Sequence, residues 1–255
     1  MEYSILTKTG DREINEDSVG AVVTEQGFCC LVADGLGGHD RGEVASALVK
    51  KTGIELFETM GREDTLSLKD FLDRCFTEGQ SCLLEKQKSA DSEMKTTLVV
   101  LAGVKGSLQW GHIGDSRLYY FKNGRMMLHT LDHSVPQMLV RTGEIKEKDI
   151  RGHEDRNRLL RVMGNVWQLQ KYELAEPIRE EEGQAFLLCS DGFWELIEEK
   201  QMVHFLNQAE SPKHWLELME EAILKNGQGK NMDNYSAAAV FFGKAGKRKK
   251  FFGIF

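Results

Sequence analysis

The tightest constraint on this chain is a set of short, continuous apolar runs, each meeting an aspartate at one end. FCCLVA runs from Phe28 into Asp34 and AFLLCS runs into Asp191, both followed by glycine, while LQWGHIG leads to Asp115. Asp17 stands directly before SVGAVV, and Asp233 before NYSAAAVFF. Runs of this length suit buried strands better than helices. A strand in a sheet holds a carboxylate more rigidly than a loop does. Carboxylates brought together repel one another and bind protons more tightly unless cations sit among them. All-oxygen sites of that kind suit Mg2+ or Mn2+ rather than zinc. Taken singly, each of the five reads more readily as a turn residue than as a ligand, because Asp bonds its own backbone and Gly accepts positive φ. Spacing alone does not bring them together.

The order of elements narrows the fold class to α+β. VGAVV and FCCLVAD, separated by Thr24-Glu25-Gln26-Gly27, read as a hairpin. A helix is predicted from Gly42 to about Met60. A second follows, with Leu68, Phe71, Leu72, Cys75, Gly79, Cys82 and Leu83 on one face. Residues 96–130 alternate apolar runs with glycine-containing turns and read as one antiparallel meander. Trp215, Leu218, Met219, Ala222 and Ile223 mark a further amphipathic helix, and YSAAAVFF a last buried strand. Strands, two helices, strands, helices, strand is not the alternation that builds a parallel sheet.

Charge separates a tail from the rest. The chain of 255 residues carries a net −7, which argues against binding nucleic acid through its phosphates. Residues 244–255 (KAGKRKKFFGIF) nevertheless hold five basic residues and no acidic one, so the remainder is at −12. The organisation expected is one domain over 1–243 and a basic, aromatic tail over 244–255, suited either to weak docking on a membrane or a protein or simply to fraying, the commonest fate of chain ends. Five cysteines, no Cys-x-x-Cys and no leader-like start fit a cytoplasmic protein without disulfides. All five read as buried small hydrophobes, Cys29, Cys30 and Cys189 in strands and Cys75 and Cys82 on a helix face.

Seven stretches occur in a telling order. They are Arg12-x-x-Asn15-Glu16-Asp17, Val32-Ala33-Asp34-Gly35-Leu36-Gly37-Gly38-His39 with Gly42-Glu43-x-Ala45-Ser46, Thr96-Thr97-Leu98-Val99-Val100, Gly114-Asp115-Ser116-Arg117, Asp132-His133-Ser134, Ser190-Asp191-Gly192 and Asp233-Asn234. Together they resemble the successive motifs of the metal-dependent protein phosphatases of the protein phosphatase 2C type, bacterial branch, over residues 3–243.

That resemblance implies a four-layer αββα sandwich, two antiparallel sheets flanked by helices, with a binuclear Mn2+ or Mg2+ centre at one end. It implies that Asp34 bridges the two metals, that the Gly35 carbonyl completes one, and that Asp191 and Asp233 hold the other. Glu16 and Asp17 would orient metal-bound water, and Asp115 with Asp191 would take a third, weaker metal. The activity implied is hydrolysis of phosphoserine and phosphothreonine by a metal-bridging hydroxide, with Arg12 gripping the phosphate. The partners implied are phosphorylated proteins, opposing a serine/threonine kinase, met by a monomer. Leu36 stands where the eukaryotic pattern has a histidine; His39 comes three residues later and is divided between a site role and a structural one. Residues 132–165, rich in Arg and Lys, resemble the flap beside the active site. Two other readings compete: a catalytically weak phosphopeptide-binding module, and a phosphatase of another phosphorylated target. Metal-dependent turnover of a simple phosphate ester separates the module from the enzymes.

Overall fold

The strands pair into two antiparallel sheets. The computed structural model describes residues 1–36, 41–60, 67–167 and 171–246. In chain order the elements are β1 (Glu2–Lys8), β2 (Asp17–Val23), β3 (Gly27–Leu36), α1 (Gly42–Met60) and α2 (Leu68–Ala90). Next come β4 (Lys95–Thr96), β5 (Leu98–Val104), β6 (Ser107–Ile113), β7 (Arg117–Lys122) and β8 (Arg125–His129). A short α3 (Val135–Thr142) and a 3-10 helix (Glu147–Gly152) precede β9 (Glu173–Leu174), β10 (Ile178–Arg179) and β11 (Gln184–Cys189). Then follow α4 (Asp191–Trp194), α5 (Glu199–Leu206), α6 (Pro212–Gly227) and β12 (Tyr235–Phe242). One sheet has the order β1-β12-β11-β7-β8; the other is β10-β6-β5-β3-β2, with β4 on β3 and β9 on β6.

Why the central strands read as unbroken apolar runs is clear from the layers. In β3, Phe28, Cys30 and Val32 face the opposite sheet, while Cys29, Leu31 and Ala33 face α1 and α2. In β11, Phe186 and Leu188 point between the sheets, and Ala185, Leu187 and Cys189 toward the cluster formed with α5 and α6. Both faces are covered, so no polar alternation survives. Trp215 of α6 anchors the second outer layer, edge-on to Phe121 at 5.2 Å and 5.5 Å from Phe241. Its indole N–H donates to the Met202 carbonyl at 3.0 Å, which leaves no polar group of the ring unsatisfied. Each large side chain buried this way contributes about 1.5–3 kcal/mol. Serine caps start three of the helices: Ser67, Ser134 and Ser211 accept from the backbone N–H three residues on.

Two expectations need correction. Residues 96–130 do not form one meander, because β5 and β6 belong to one sheet and β7 and β8 to the other. The turn Gly114-Asp115-Ser116 carries the chain across, with Gly114 at φ +99, a conformation favouring glycine. Cys82 is only half-buried, unlike the other four cysteines, because it lies at the edge of the packed face of α2.

The flap is tied down at both ends. At its start the His133 N–H donates to the Gly114 carbonyl at 2.9 Å. At its end Leu160 N–H returns to the His133 carbonyl at 2.7 Å, and Met163 pairs with Thr96. Ala245 is buried in the cluster with β12 and α5, so the chain still packs on the fold at that point. Most of the basic, aromatic segment, residues 247–255, lies outside the described residues, as does His39. Among the described residues no helix is long and apolar enough to cross a membrane.

Candidate active site

The strand ends deliver their carboxylates to one place. Asp17 and Asp34 are register partners across the β2–β3 hairpin. The Asp34 backbone is fixed on its other side: its N–H donates to Thr97 Oγ1 at 3.0 Å, and its carbonyl accepts from Thr97 N–H at 2.8 Å and Thr96 Oγ1 at 2.7 Å. Gly35 and Gly42 approach so closely that a side chain at Gly35 would collide with the Gly42 carbonyl. The motif glycines therefore set how near α1 comes to the Asp34 loop.

Asp191 opens α4 directly after β11, and Asp233 precedes β12, the strand beside it. Asn234 ties these ends to the other sheet. Its Oδ1 accepts from Glu16 N–H at 2.8 Å, and its Nδ2 donates to the Thr9 and Ile14 carbonyls at 2.7 and 3.0 Å. The result is a cleft of about 490 Å³ lined by Arg12, Glu16, Asp34, Gly35, Asp115, Asp191 and Asp233. Asp17 does not line it. Asp17 is buried beneath, accepting from Ser190 Oγ at 2.7 Å, and so supports the turn from which Asp191 projects.

The electrostatics are those of crowded, buried carboxyls. Burial, then the neighbouring Asp191, Asp17 and Asp115 charges, push the Asp34 carboxyl well above the usual carboxylate range. Burial and Asp191 do the same to Asp115, and burial followed by Asp233 raises Asp191. Asp34 and Asp191 lie within hydrogen-bonding reach of each other. Asp17 rises to about 7 through burial, and Glu16 is raised by burial and by Glu43 and Asp233. The one cation hydrogen-bonded to this group among the described residues is Arg12, whose Nη2 meets Asp233 at 2.9 Å. A cluster of oxygen donors that repel one another fits hard divalent cations, and among the described residues its lining offers neither sulfur nor imidazole.

Some residues that shape the cleft escaped the sequence reading. Lys95, Asn157 and Asn165 line it, the last two from the flap. Lys95 stands beside the Thr96-Thr97 motif, which is the only local signal; the asparagines become neighbours through the flap's return. Asp115 is braced from behind: Trp194 Nε1 donates to its carbonyl at 3.0 Å, and the Arg117 guanidinium stacks on the Trp194 ring at 3.6 Å. Arg117 is itself held by both oxygens of Asp132, at 2.8 and 2.7 Å, in full burial.

His112, His133 and Glu173 form a second group of ligand-type side chains. The imidazoles are stacked, 4.6 Å apart and 20° from parallel. His112 Nε2 donates to the Leu131 carbonyl at 2.9 Å, and His133 Nδ1 accepts from Gly114 N–H at 3.2 Å. Glu173 accepts from Arg161 Nη2 at 3.2 Å, and His133 Nε2 and Arg141 Nη2 lie 3.2 and 3.9 Å from its carboxylate. Contact with His133 is the main reason the Glu173 carboxyl falls to about 2. This cluster anchors the flap arginines to the turn before Asp115.

Known proteins show the same fold and sequence pattern. The family description "Protein phosphatase 2C" matches residues 8–223. A serine/threonine phosphatase stp of Listeria welshimeri is 31% identical over 208 residues, covering 78% of this chain and 80% of its own. The crystal structure of the Mycobacterium tuberculosis serine/threonine phosphatase PstP superposes with a TM-score of 0.79 at 28% identity, covering 94% of this chain and 98% of that one. A structure of the PstP catalytic domain in complex with two manganese ions gives 0.77 at 28% identity, covering 93% and 96%. An α+β sandwich of this topology with these motifs defines a metal-dependent phosphatase. The chain belongs to the protein phosphatase 2C family: it is a protein serine/threonine phosphatase that depends on Mn2+ or Mg2+.

Proposed function

We propose that Asp34, the Gly35 carbonyl, Asp191 and Asp233 hold the two divalent cations, and that Asp115 with Asp191 takes a third. The observation that carries this is the crowding of Asp34, Asp115 and Asp191 in one cleft, each carboxyl raised by burial and by its neighbours. When bound, the cations supply acidification of water at neutral pH and positive charge for the phosphoryl oxygens.

The chain's own residues do the rest. Arg12, half-exposed at the mouth, trades its contact with Asp233 for two phosphoryl oxygens when substrate enters, since a fork of N–H donors matches a phosphate. Glu16, on the cleft wall, and Asp17, beneath it, orient water; Asp17 also fixes the Asp191 turn through Ser190. Trp194 and Thr97 hold the Asp115 turn, Thr97 through its 2.7 Å contact with Ser116 Oγ. Substrates are phosphoserine and phosphothreonine proteins made by an opposing kinase, met in the cytoplasm by a monomer.

Turnover of p-nitrophenyl phosphate and of a phosphothreonine peptide, with Mn2+ and then with excess chelator, tests this reading. Turnover is expected only with metal, and Arg12→Ala is expected to raise KM more than it lowers kcat. Turnover in chelator, or an Arg12→Ala protein with unchanged KM and kcat, contradicts it.

A further inference from the structure

A side groove of about 290 Å³ opens from the catalytic cleft and shares Arg12, Asn157, Asp191 and Asp233 with it. Its walls come from two segments far apart in sequence: the flap, through Arg156 and Asn157, and the α6–β12 connection, through Lys230 and Asn231. Its floor is α4 and the residue after it, Glu195.

The charges here are unequally matched. Glu195 faces Arg156, whose Nε lies 3.0 Å from Oε1 and donates to Oε2 at 3.3 Å. That contact is made through Nε. Asp191 and Asp233 belong to the catalytic cleft, where Asp233 already holds Arg12. The Lys230 ammonium has no ion-pair or hydrogen-bond partner among the described residues. Asn157 and Asn231 add neutral donors on the two walls.

We infer that this groove is a subsite for an acidic side chain, or a second phosphate, within two residues of the phosphoserine or phosphothreonine being hydrolysed. An extended chain advances about 3.3–3.6 Å per residue, so the neighbours of a phosphoresidue held at Arg12 reach the adjoining groove. The groove offers them one unpaired ammonium, two amides and a guanidinium that is shared with Glu195. Lysine or arginine at those positions meets Lys230 and Arg156 as like charges. The inference rests on the phosphatase reading and adds to it a substrate class.

The test uses the full chain with Mn2+ and two phosphothreonine peptides of alanine background. One carries aspartate, the other lysine, at the two positions on each side of the phosphothreonine. Wild type is expected to favour the aspartate peptide in kcat/KM by about three- to tenfold, the worth of one or two partly exposed charge-assisted contacts. Lys230→Glu is expected to erase or invert that preference, and Arg156→Gln to halve it at least. p-Nitrophenyl phosphate, too small to reach the groove, is expected to turn over within twofold of wild type in Lys230→Glu. Equal kcat/KM for the two peptides in wild type, or a preference that survives Lys230→Glu, overturns the subsite while p-nitrophenyl phosphate turnover leaves the phosphatase reading standing. Absence of p-nitrophenyl phosphate turnover in wild type overturns both.

Discussion

Removing the Asp132 carboxylate tests how the Asp115 turn is held. Arg117 and Asp132 form a two-pronged pair at 2.8 and 2.7 Å, with side chains 3% and 2% exposed. In Asp132→Ala the guanidinium keeps two neutral contacts, the Tyr119 hydroxyl at 3.1 Å and the Trp194 ring at 3.6 Å, and only the more distant charges of Asp115 and Glu199. Breaking a buried pair from one side costs about 3–5 kcal/mol, because an uncompensated charge stays out of water. Set against a total stability of about 5–15 kcal/mol for a domain, that is a large fraction. Replacing both members with apolar residues of similar volume, Arg117→Met with Asp132→Leu, removes the buried charge and is expected to cost less than half as much. Urea unfolding at equilibrium, in chelator so that metal does not stabilise the folded state, measures both. A loss under about 1 kcal/mol for Asp132→Ala, or an equal loss in the double variant, refutes the reasoning.

Two further expectations concern pH and the chain end. Burial holds the His112 imidazole down at about 4, so below the ordinary value of 6.5 the unfolded state takes a proton that the folded state refuses. Stability contributed by neutral His112 is therefore present above pH 6.5 and lost as pH falls toward 4, by at most about 3 kcal/mol. The raised carboxyls of the metal-free cleft slope the opposite way, so the quantity to measure is the difference between wild type and His112→Gln in chelator; a difference constant from pH 6.5 to 4.5 contradicts the assignment. For the tail, truncation after Gly246 leaves Ala245 in its packed position and removes four of the five basic residues with all three phenylalanines. Co-sedimentation with anionic vesicles at low salt is expected to be lost on truncation, and full-length protein that stays in the supernatant rules out membrane docking.

How much of this was legible depended on whether burial left a local trace. β3, β11 and β12 could be read because both their faces are covered, which turns each into an unbroken apolar run. The hairpin of β2 and β3 and the helices α1, α2 and α6 announced themselves through turn residues and periodicity. β1 was not legible: it is an edge strand, largely exposed, and of EYSILTK only Ser4 and Leu6 are half-buried. The switch of sheets at Gly114-Asp115-Ser116 was also hidden, since a turn between sheets and a turn within one have the same composition. Asp34, Asp115, Asp191 and Asp233, which line the cleft, could be singled out because each stands at the end of an apolar run. The burial of Asp17 beneath the cleft was not legible, because it depends on Ser190, more than 170 residues away. Nor was the approach of Asn157 and Lys230 from opposite walls, which no local pattern encodes.

Direct Mn2+ binding to the wild-type chain and to Asp34→Asn, by calorimetry or by the paramagnetic signal of the free ion, tests the central claim without any turnover. The carboxylate cleft is expected to bind at least two Mn2+ per chain in wild type. In Asp34→Asn at least one is expected to be lost, while far-ultraviolet circular dichroism stays that of the folded protein. Unchanged stoichiometry and affinity in a folded Asp34→Asn protein would contradict the assignment of Asp34 to the metal centre.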